Sequence, residues 1–386
     1  MEVTVEKLRQ TLKLLKPAVA KQHKALLPAT EGILLADGHA RSTDMEVAIT
    51  VQLLEVGDER LVLPYLATST ILAHLAGDQT ASISPVNGVV HFRCGQVEAK
   101  LVPPGEVADF LPIATITEQE QKVDGDVLLT GLEGVKHYVT ANDARRELQG
   151  ICITLGEPIE VAAADGFRLA WQTVPVTLEG NGHIDAIIVP SNAVSVLAKL
   201  WDAADKPPTV PGRRRVGERA AGPSMDLARG AMAKREMFIT FNTQSIKINF
   251  GTVTMVSRLI QGTFPKIHGL IPEKAAHTVM VDARAFLQAL KMVTPIANDS
   301  NNIIRLTWSM KEMSLTAQGE DASSITATIP ATATDEVSIG FNARYLLAYF
   351  DGKQGPVTLE TTTRHSAGLF RCDGTPHVLI MPMFLD

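Results

Sequence analysis

The chain has 386 residues, of which 45% are hydrophobic, 20% charged and only 5% aromatic, and its formal net charge is −6. At about 150 residues per domain this is too long for one ordinary core and predicts two or three domains. No stretch approaches the ~18 uninterrupted apolar residues of a membrane span, and the start MEVTVEKLRQ carries charges where an export signal needs an apolar run, so neither membrane insertion nor export is expected. Cys94, Cys152 and Cys372 lie far apart with no Cys-x-x-Cys pair, which argues against a disulfide framework and a zinc knuckle and predicts reduced thiols in a cytoplasmic protein. The mild acidity leaves nucleic-acid binding open, because that depends on where Lys and Arg concentrate.

In chain order, the first predicted element is an amphipathic helix, EKLRQTLKLLKPAVA from Glu6, with Leu8, Leu12, Leu15 and Val19 on one stripe. Arg9, Lys13 and Lys16 follow i, i+4, i+7 beside it and are expected to face outward while the leucines face the sheet. Alternating, turn-punctuated strands follow in GILLADGHARSTDMEVAITVQL, and a shorter helix in VLPYLATSTILAHLAG from Val62. The same series returns with a helix in GDVLLTGLEGVKHYVTAND from Gly125, strands in GICITLGEPIEVAAADGFRLAWQT, and a short helix in IVPSNAVSVLAKLWDA from Ile188. It returns again with VDARAFLQALKMVTPIAND from Val281, strands in IIRLTWSMKEMSLTAQGEDASSITATI, and IGFNARYLLAYFDG from Ile339. Strands such as QSIKINFGTVTMVSRLI follow each short helix. The chain therefore reads as one α+β unit written three times. The short-helix segments begin 126 and then 151 residues apart, and the excess lies in a basic stretch from Lys206 to Glu236 with eight Lys/Arg against three Asp/Glu. Its prolines and glycines predict a flexible surface insertion.

No catalytic motif stands out. Gly-x-x-x-x-Gly-Lys-Ser/Thr, Gly-x-Ser-x-Gly and His-Glu-x-x-His are absent, and the ten histidines have no metal-ligand spacing. The most site-like piece is ADGFRLA, where an enzyme reading makes Asp165 a base and Arg168 an anion clamp. Acids recur at the equivalent turn of the other units, Asp44 in STDMEV and Glu320 with Asp321 in QGEDAS. Recurrence in every copy favours a turn former between strands.

Five blocks carry a family likeness in the family's own order: LPATEGILLADGHARSTDMEVAI, ADGFRLA, SRLIQGTFPKIHGLIP, IGFNARYLL and the terminal VLIMPM. Together they resemble the bacterial DNA sliding clamp, the beta subunit of DNA polymerase III, over nearly the whole chain apart from the basic insertion. The resemblance implies three clamp domains, 1–122, 123–272 with the insertion at about 206–236, and 273–386. It implies a head-to-tail homodimeric ring with helices lining the bore and antiparallel sheets outside, which encircles double-stranded DNA without reading its sequence. It also implies no cofactor and no chemistry of its own. The ring would tether the DNA polymerase III alpha subunit and repair proteins, and an ATP-driven clamp loader would open it.

For individual residues, the likeness implies DNA contacts at Lys24, which aligns with a family arginine, and at Asn142, Arg145 and Arg146 in TANDARREL, where Arg146 replaces a common aromatic. Lys13 joins them from the first helix. A groove for short partner peptides is implied at Leu148, Gly166, Phe167, Arg168, Leu169, Pro265, Leu270, Leu379, Met381, Pro382 and Met383. Proline after Met381 cannot donate to a sheet ladder, so the last strand should end there and the tail turn across the surface; Val378 and Ile380 should be buried on alternating faces of that strand. Methionines suit a site that admits several related peptides. Phe167 stands where His is frequent, Ala164 where Thr is, Phe384 where Arg is, and Asp386 extends the end by one residue, which predicts a more apolar groove favouring bulky aromatic anchors. Phe110 in ADFLPI and Ile296 in TPIAND match the family's subunit interface, though Phe110 equally fits a cap on its own core. Two alternatives remain at this point: a clamp-like paralogue that binds partners without encircling DNA, and an enzyme using Asp165 and Arg168.

Overall fold

The computed structural model describes residues 1–21, 25–57, 59–110, 112–141, 144–180, 184–204, 235–271, 275–299, 301–321 and 323–385. Along them one order of elements occurs three times: strand, helix, four strands, helix, three strands. The first pass comprises β1 (Glu2–Thr4), α1 (Val5–Leu15), β2 (Gly32–Ala36), β3 (His39–Thr43), β4 (Val47–Gln52), β5 (Leu61–Pro64), α2 (Tyr65–Ala73), β6 (Thr80–Val86), β7 (Val89–Cys94) and β8 (Val97–Leu101). The second comprises β9 (Gln121–Asp124), α3 (Gly125–Val135), β10 (Gly150–Thr154), β11 (Ile159–Ala164), β12 (Arg168–Val174), β13 (Ala186–Pro190), α4 (Ser191–Ala204), β14 (Glu236–Phe241), β15 (Ser245–Phe250) and β16 (Val253–Arg258). The third comprises β17 (His277–Asp282), α5 (Ala283–Asn298), β18 (Ile303–Trp308), β19 (Glu312–Gln318), β20 (Ser324–Ala333), β21 (Val337–Asn342), α6 (Ala343–Phe350), β22 (Pro356–Thr361), β23 (Gly368–Arg371) and β24 (His377–Ile380). The threefold pattern read from the sequence is therefore present. The second helix of each pass is not always the shorter, since in the second pass α4 has 14 residues and α3 has 11.

All the strand pairs are antiparallel, and they build sheets that ignore the boundaries between repeats. One sheet runs β1-β6-β7-β8, a second β5-β2-β3-β4-β16-β15-β14-β9, and a third β13-β10-β11-β12-β24-β23-β22-β17-β20-β19-β18-β21. The second sheet is welded where β4 meets β16, with Ile49 opposite Met255, and the third where β12 meets β24, with Leu169 opposite Leu379. Compact units follow the sheets: residues 1–129, 178–184 and 192–259 form one, and 130–177, 185–191 and 260–386 the other.

In the first unit, the stripe Val5, Leu8, Leu12 and Leu15 of α1 is buried, and Ser42 on β3 donates its hydroxyl to Leu15 O at 2.8 Å. Arg9 does not face outward. Its guanidinium donates to Leu72 O and Leu75 O at the end of α2, at 2.7 and 3.0 Å, and to Glu6 at 2.7 Å. It thereby satisfies carbonyls that a helix C-terminus leaves open. Trp201 on α4 donates to Asp126 at 2.8 Å, stands edge-on to Phe250, and carries the Arg235 guanidinium 4.3 Å above its ring. A Cβ on Gly125 would overlap that indole. Arg235 and Glu236 thus belong to the fold, Arg235 pairing with Asp126 and Glu236 opening β14, whereas the rest of the expected insertion, 206–234, lies outside the described residues.

In the second unit, Asp282 caps α5 by accepting from Arg284 N and Ala285 N at 3.0 and 2.9 Å. Phe286, Leu290, Val293 and Ala297 form its buried face. Phe286 stacks on Phe350 of α6 with ring centres 4.0 Å apart, and Phe350, Tyr349 and Phe341 surround Phe370 of β23. This cluster fastens both helices to the sheet. Phe286→Ala should remove about 3–5 kcal/mol of stability, as expected for a buried aromatic. Urea unfolding followed by circular dichroism measures it, with the midpoint falling at an unchanged slope.

Candidate functional site

The hairpin between β11 and β12 is set by Asp165. One carboxylate oxygen accepts from Phe167 N and Arg168 N at 2.9 and 2.7 Å, and the other receives Arg168 Nε and the terminal guanidine nitrogen at 2.9 and 2.8 Å. Asp44 does the same at the β3–β4 turn, accepting from Glu46 N and Val47 N at 3.0 and 2.8 Å, and Asp321 accepts from Ser323 N at 3.0 Å between β19 and β20. The repeated acid is a turn former, because its side chain takes the amides that the tight turn leaves unpaired.

Asp165 and Arg168 have side chains only 12% and 14% exposed, and their two-point pairing fixes the guanidinium plane. Two tyrosines complete its cage, with the Tyr345 and Tyr138 ring centres 4.6 and 5.1 Å from the guanidinium carbon. Burial pushes the Tyr138 hydroxyl up to about 12, partly opposed by the Arg168 charge, and burial also raises Tyr345. Arg168 thus has its hydrogen-bonding edge taken by Asp165 and its faces by rings, an arrangement that holds a surface and does not free a base or an anion clamp.

Beside it, one face of the third sheet carries an apolar cluster of Leu148, Ala162, Ala164, Leu169, Trp171, Leu369 and Leu379, covered by Ile267, Phe264 and Ile271 from the segment after β16. The cluster does not end at the protein's edge. Phe167, Leu270, Met381 and Phe384 remain 60%, 53%, 47% and 85% exposed, and Pro265 is exposed as well. Phe167 is nevertheless held, its ring stacked on Tyr345 at 6.3 Å and its carbonyl accepting Met381 N at 2.9 Å. Large apolar groups left in water beside a packed cluster mark a binding surface.

The tail forms the last wall. Val378, Leu379 and Ile380 are all buried; Val378 and Ile380, two apart in the strand, share one face instead of alternating as expected, and Leu379 shows that the other face of β24 is covered too. Pro382 offers no N–H, the ladder stops, and Met383 N instead donates to Gly340 O on β21 at 2.8 Å. Gly340 is needed for this approach, since a Cβ there would lie 2.7 Å from Leu385 Cδ2 and 2.9 Å from Met383 O. Met381 and Met383 are thereby anchored by their own amides while their side chains stay partly exposed.

All the groove residues expected from the sequence fall in this second unit, Leu148, Leu169 and Leu379 in the floor and Gly166, Phe167, Arg168, Pro265, Leu270, Met381, Pro382 and Met383 on the hairpin, covering segment and tail around it. Tyr138, Tyr345, Trp171, Phe264 and Ile267 were missed; the signal was available in that the chain has only four tyrosines, two of which meet Arg168. Of the expected DNA contacts, Lys13 and Arg146 are exposed, while the Arg145 guanidinium sits beside Gly166, 3.0 Å from where its Cβ would be. Lys24 and Asn142 lie outside the described residues. Phe110 is 7% exposed and packs in a cluster with Leu34, Ala36 and Val62, so it caps its own unit; Ile296 on α5 is half-buried near Gly319.

Residues 268–382 match the family model described as DNA polymerase III beta subunit, C-terminal domain. Among proteins, the chain is 24% identical over 240 residues to the beta sliding clamp of Caulobacter vibrioides, covering 61% of this chain and 56% of that one. It is also 24% identical over 293 residues to that of Synechococcus elongatus, covering 74% and 70%. Its match thus spans little more than half the length of the Caulobacter relative. Among solved structures, the DNA polymerase III beta subunit of Pseudomonas aeruginosa superimposes with a TM-score of 0.83 at 19% identity, covering 100% of this chain and 99% of that one. That of Thermotoga maritima gives 0.81 at 18% identity with the same coverage. The likeness drawn from five sequence blocks is therefore matched by a family model, by named relatives and by the fold of the whole chain.

Gly340→Val should expel the tail while leaving the sheet intact. Hydrogen exchange at Met383 N should rise to the level of an unprotected amide, with β12 amides unchanged; protection retained at Met383 would show that the bridge does not hold the tail.

Proposed function

We propose, from the premise that the chain carries the fold of the DNA polymerase III beta subunit, that it is a DNA sliding clamp and not an enzyme. Two copies close head to tail around duplex DNA, and partner proteins dock through the groove beside Arg168. The repeats then mark three clamp domains, 1–122, 123–272 and 273–386.

The observation that carries this reading is an unmet strand edge at each end of the repeat series. The fourth strand of one series and the last strand of the next are joined at β4–β16 and again at β12–β24. Among the described residues the remaining pair, β20 and β8, is left open: β8 pairs only with β7, and Ser324–Pro330 of β20 pairs only with β19. Free edges invite pairing, and a second copy supplies both missing junctions at once in a closed twofold arrangement. Ile296, near the β19–β20 turn, flanks this edge, and the apolar contact proposed there pairs it with Phe110 of the second copy.

A ring that slides must touch phosphates and ignore base edges. Lys13 on α1, Lys16 just after it and Lys291 on α5 are exposed and suit that task, giving few contacts that salt weakens steeply. Retention then comes from topology. The partners of the groove are peptides from the polymerase alpha subunit, the clamp loader and repair proteins, and the cage around Arg168 keeps the groove in shape before they arrive.

When loaded with a clamp loader, the protein should stay on nicked circular DNA at a salt concentration that strips non-specific binders and should be lost after linearisation. Equal retention on both forms would leave a partner-binding protein that does not encircle DNA.

The Phe167–Tyr345 stack favours an aromatic anchor in the partner. A labelled peptide ending in phenylalanine should bind more tightly than its leucine twin by about 1 kcal/mol, roughly fivefold. Equal affinities in a fluorescence anisotropy titration would remove the aromatic preference.

A further inference from the structure

The first unit repeats the groove's framework with different chemistry. At its hairpin, Asp44, Met45, Glu46 and Val47 stand where the second unit has Asp165, Gly166, Phe167 and Arg168, with the same pair of amide bonds to the acid. Met45 and Gly166 both take positive φ, 77° and 93°. Arg258 N donates to Glu46 O at 3.1 Å as Met381 N does to Phe167 O. Ala48 faces Val256 across the ladder as Leu169 faces Leu379. Arg258 therefore occupies the place of Met381.

Two cavities flank the segment that covers this face. One, of about 170 Å³, is lined by Met45, Glu46, Ala48, Pro112, Val256 and Arg258 among others. The other, of about 180 Å³, is lined by Leu34, Arg41, Arg60, Phe110 and Ile113, and shares Pro112. Its charges are Arg41, Arg60 and Asp37, of which Arg60 and Asp37 pair with each other at 2.7 Å. Among the described residues neither Arg41 nor Arg258 has an ion-pair partner. Arg41 is half-buried and Arg258 exposed, and the carboxylates of the two linings, Glu46 and Asp37, pair with neither, so both guanidiniums keep their hydrogen-bonding edges open to an anion.

We infer that this face is a second peptide-docking site, selecting a linear acidic segment that puts an apolar side chain in the Met45 cavity and a carboxylate against Arg41. Because the cavities share a wall, residues two or three apart in an extended peptide, at about 3.3 Å each, reach both. Charge complementarity picks the occupant: the groove of the second unit presents exposed Phe167 and Met381, whereas the equivalent face here presents arginines. The inference rests on reading that groove as a peptide site.

The test uses the full chain with ¹³C-methyl methionine and the pentapeptide Leu-Asp-Leu-Asp-Gly. The Met45 methyl resonance should shift on titration, and the Arg41→Gln, Arg258→Gln double variant should bind about tenfold more weakly, as loss of a charge contact predicts. The corresponding lysine variant should retain most of the affinity. A Met45 resonance that stays fixed while only Met381 and Met383 move overturns the proposal, as does undiminished affinity in the double variant. Should that variant fail to fold, the response of Met45 in the unaltered chain decides alone. The neutral phenylalanine peptide, read at Met381 and Met383, reports separately on the groove of the second unit.

Discussion

The pairing of Arg168–Trp171 on β12 with His377–Ile380 on β24 is the constraint on which the candidate groove depends. It brings an internal hairpin and the tail into one ladder, so that Leu169 and Leu379 share a floor and the carbonyl of Phe167 can hold Met381. Everything else about the site is consequence. The ladder ends because proline has no amide to donate, the tail crosses to β21 because Gly340 leaves room, and the methionines project because their backbones are already fixed.

Fixation of the backbone and freedom of the side chains are separate properties here, and both would matter for a surface proposed to take several partners. Arg168 has no spare hydrogen-bonding edge toward Asp165 and is packed between rings on both faces. In the proposed docking, its rigidity would let a peptide bind without ordering the hairpin. Met381 and Met383 supply the adjustable part, since their unbranched side chains repack at low cost.

Much of this was legible in the sequence because the decisive signals are local or repeated. The stripe of α1, the turn acids Asp44, Asp165 and Asp321, and the proline that ends β24 each act within a few residues. What escaped was long-range. Arg9 reads as one of three outward cations, and only the fold shows α2 ending where its guanidinium can bind Leu72 O and Leu75 O. Phe110 reads as an interface residue, and only the fold shows that Leu34 and Val62 also pack against it. Tyr138 and Tyr345 are more than 200 residues apart, and no periodicity links them. Repeats suggest independent modules, yet compactness follows the sheets, because each junction joins halves of successive repeats.

Those junctions also set a schedule. Val51 on β4 meets Val253 on β16, and Leu169 on β12 meets Leu379 on β24, partners separated by roughly 200 residues in both cases. Closing such distant pairs is the slow part of assembling a sheet protein. During synthesis the outer edge of β4 must wait for most of the second repeat, and that of β12 for most of the third, at a few to twenty residues per second. Until its final strand emerges, a nascent chain of this kind carries an unpaired strand edge open to wrong pairing.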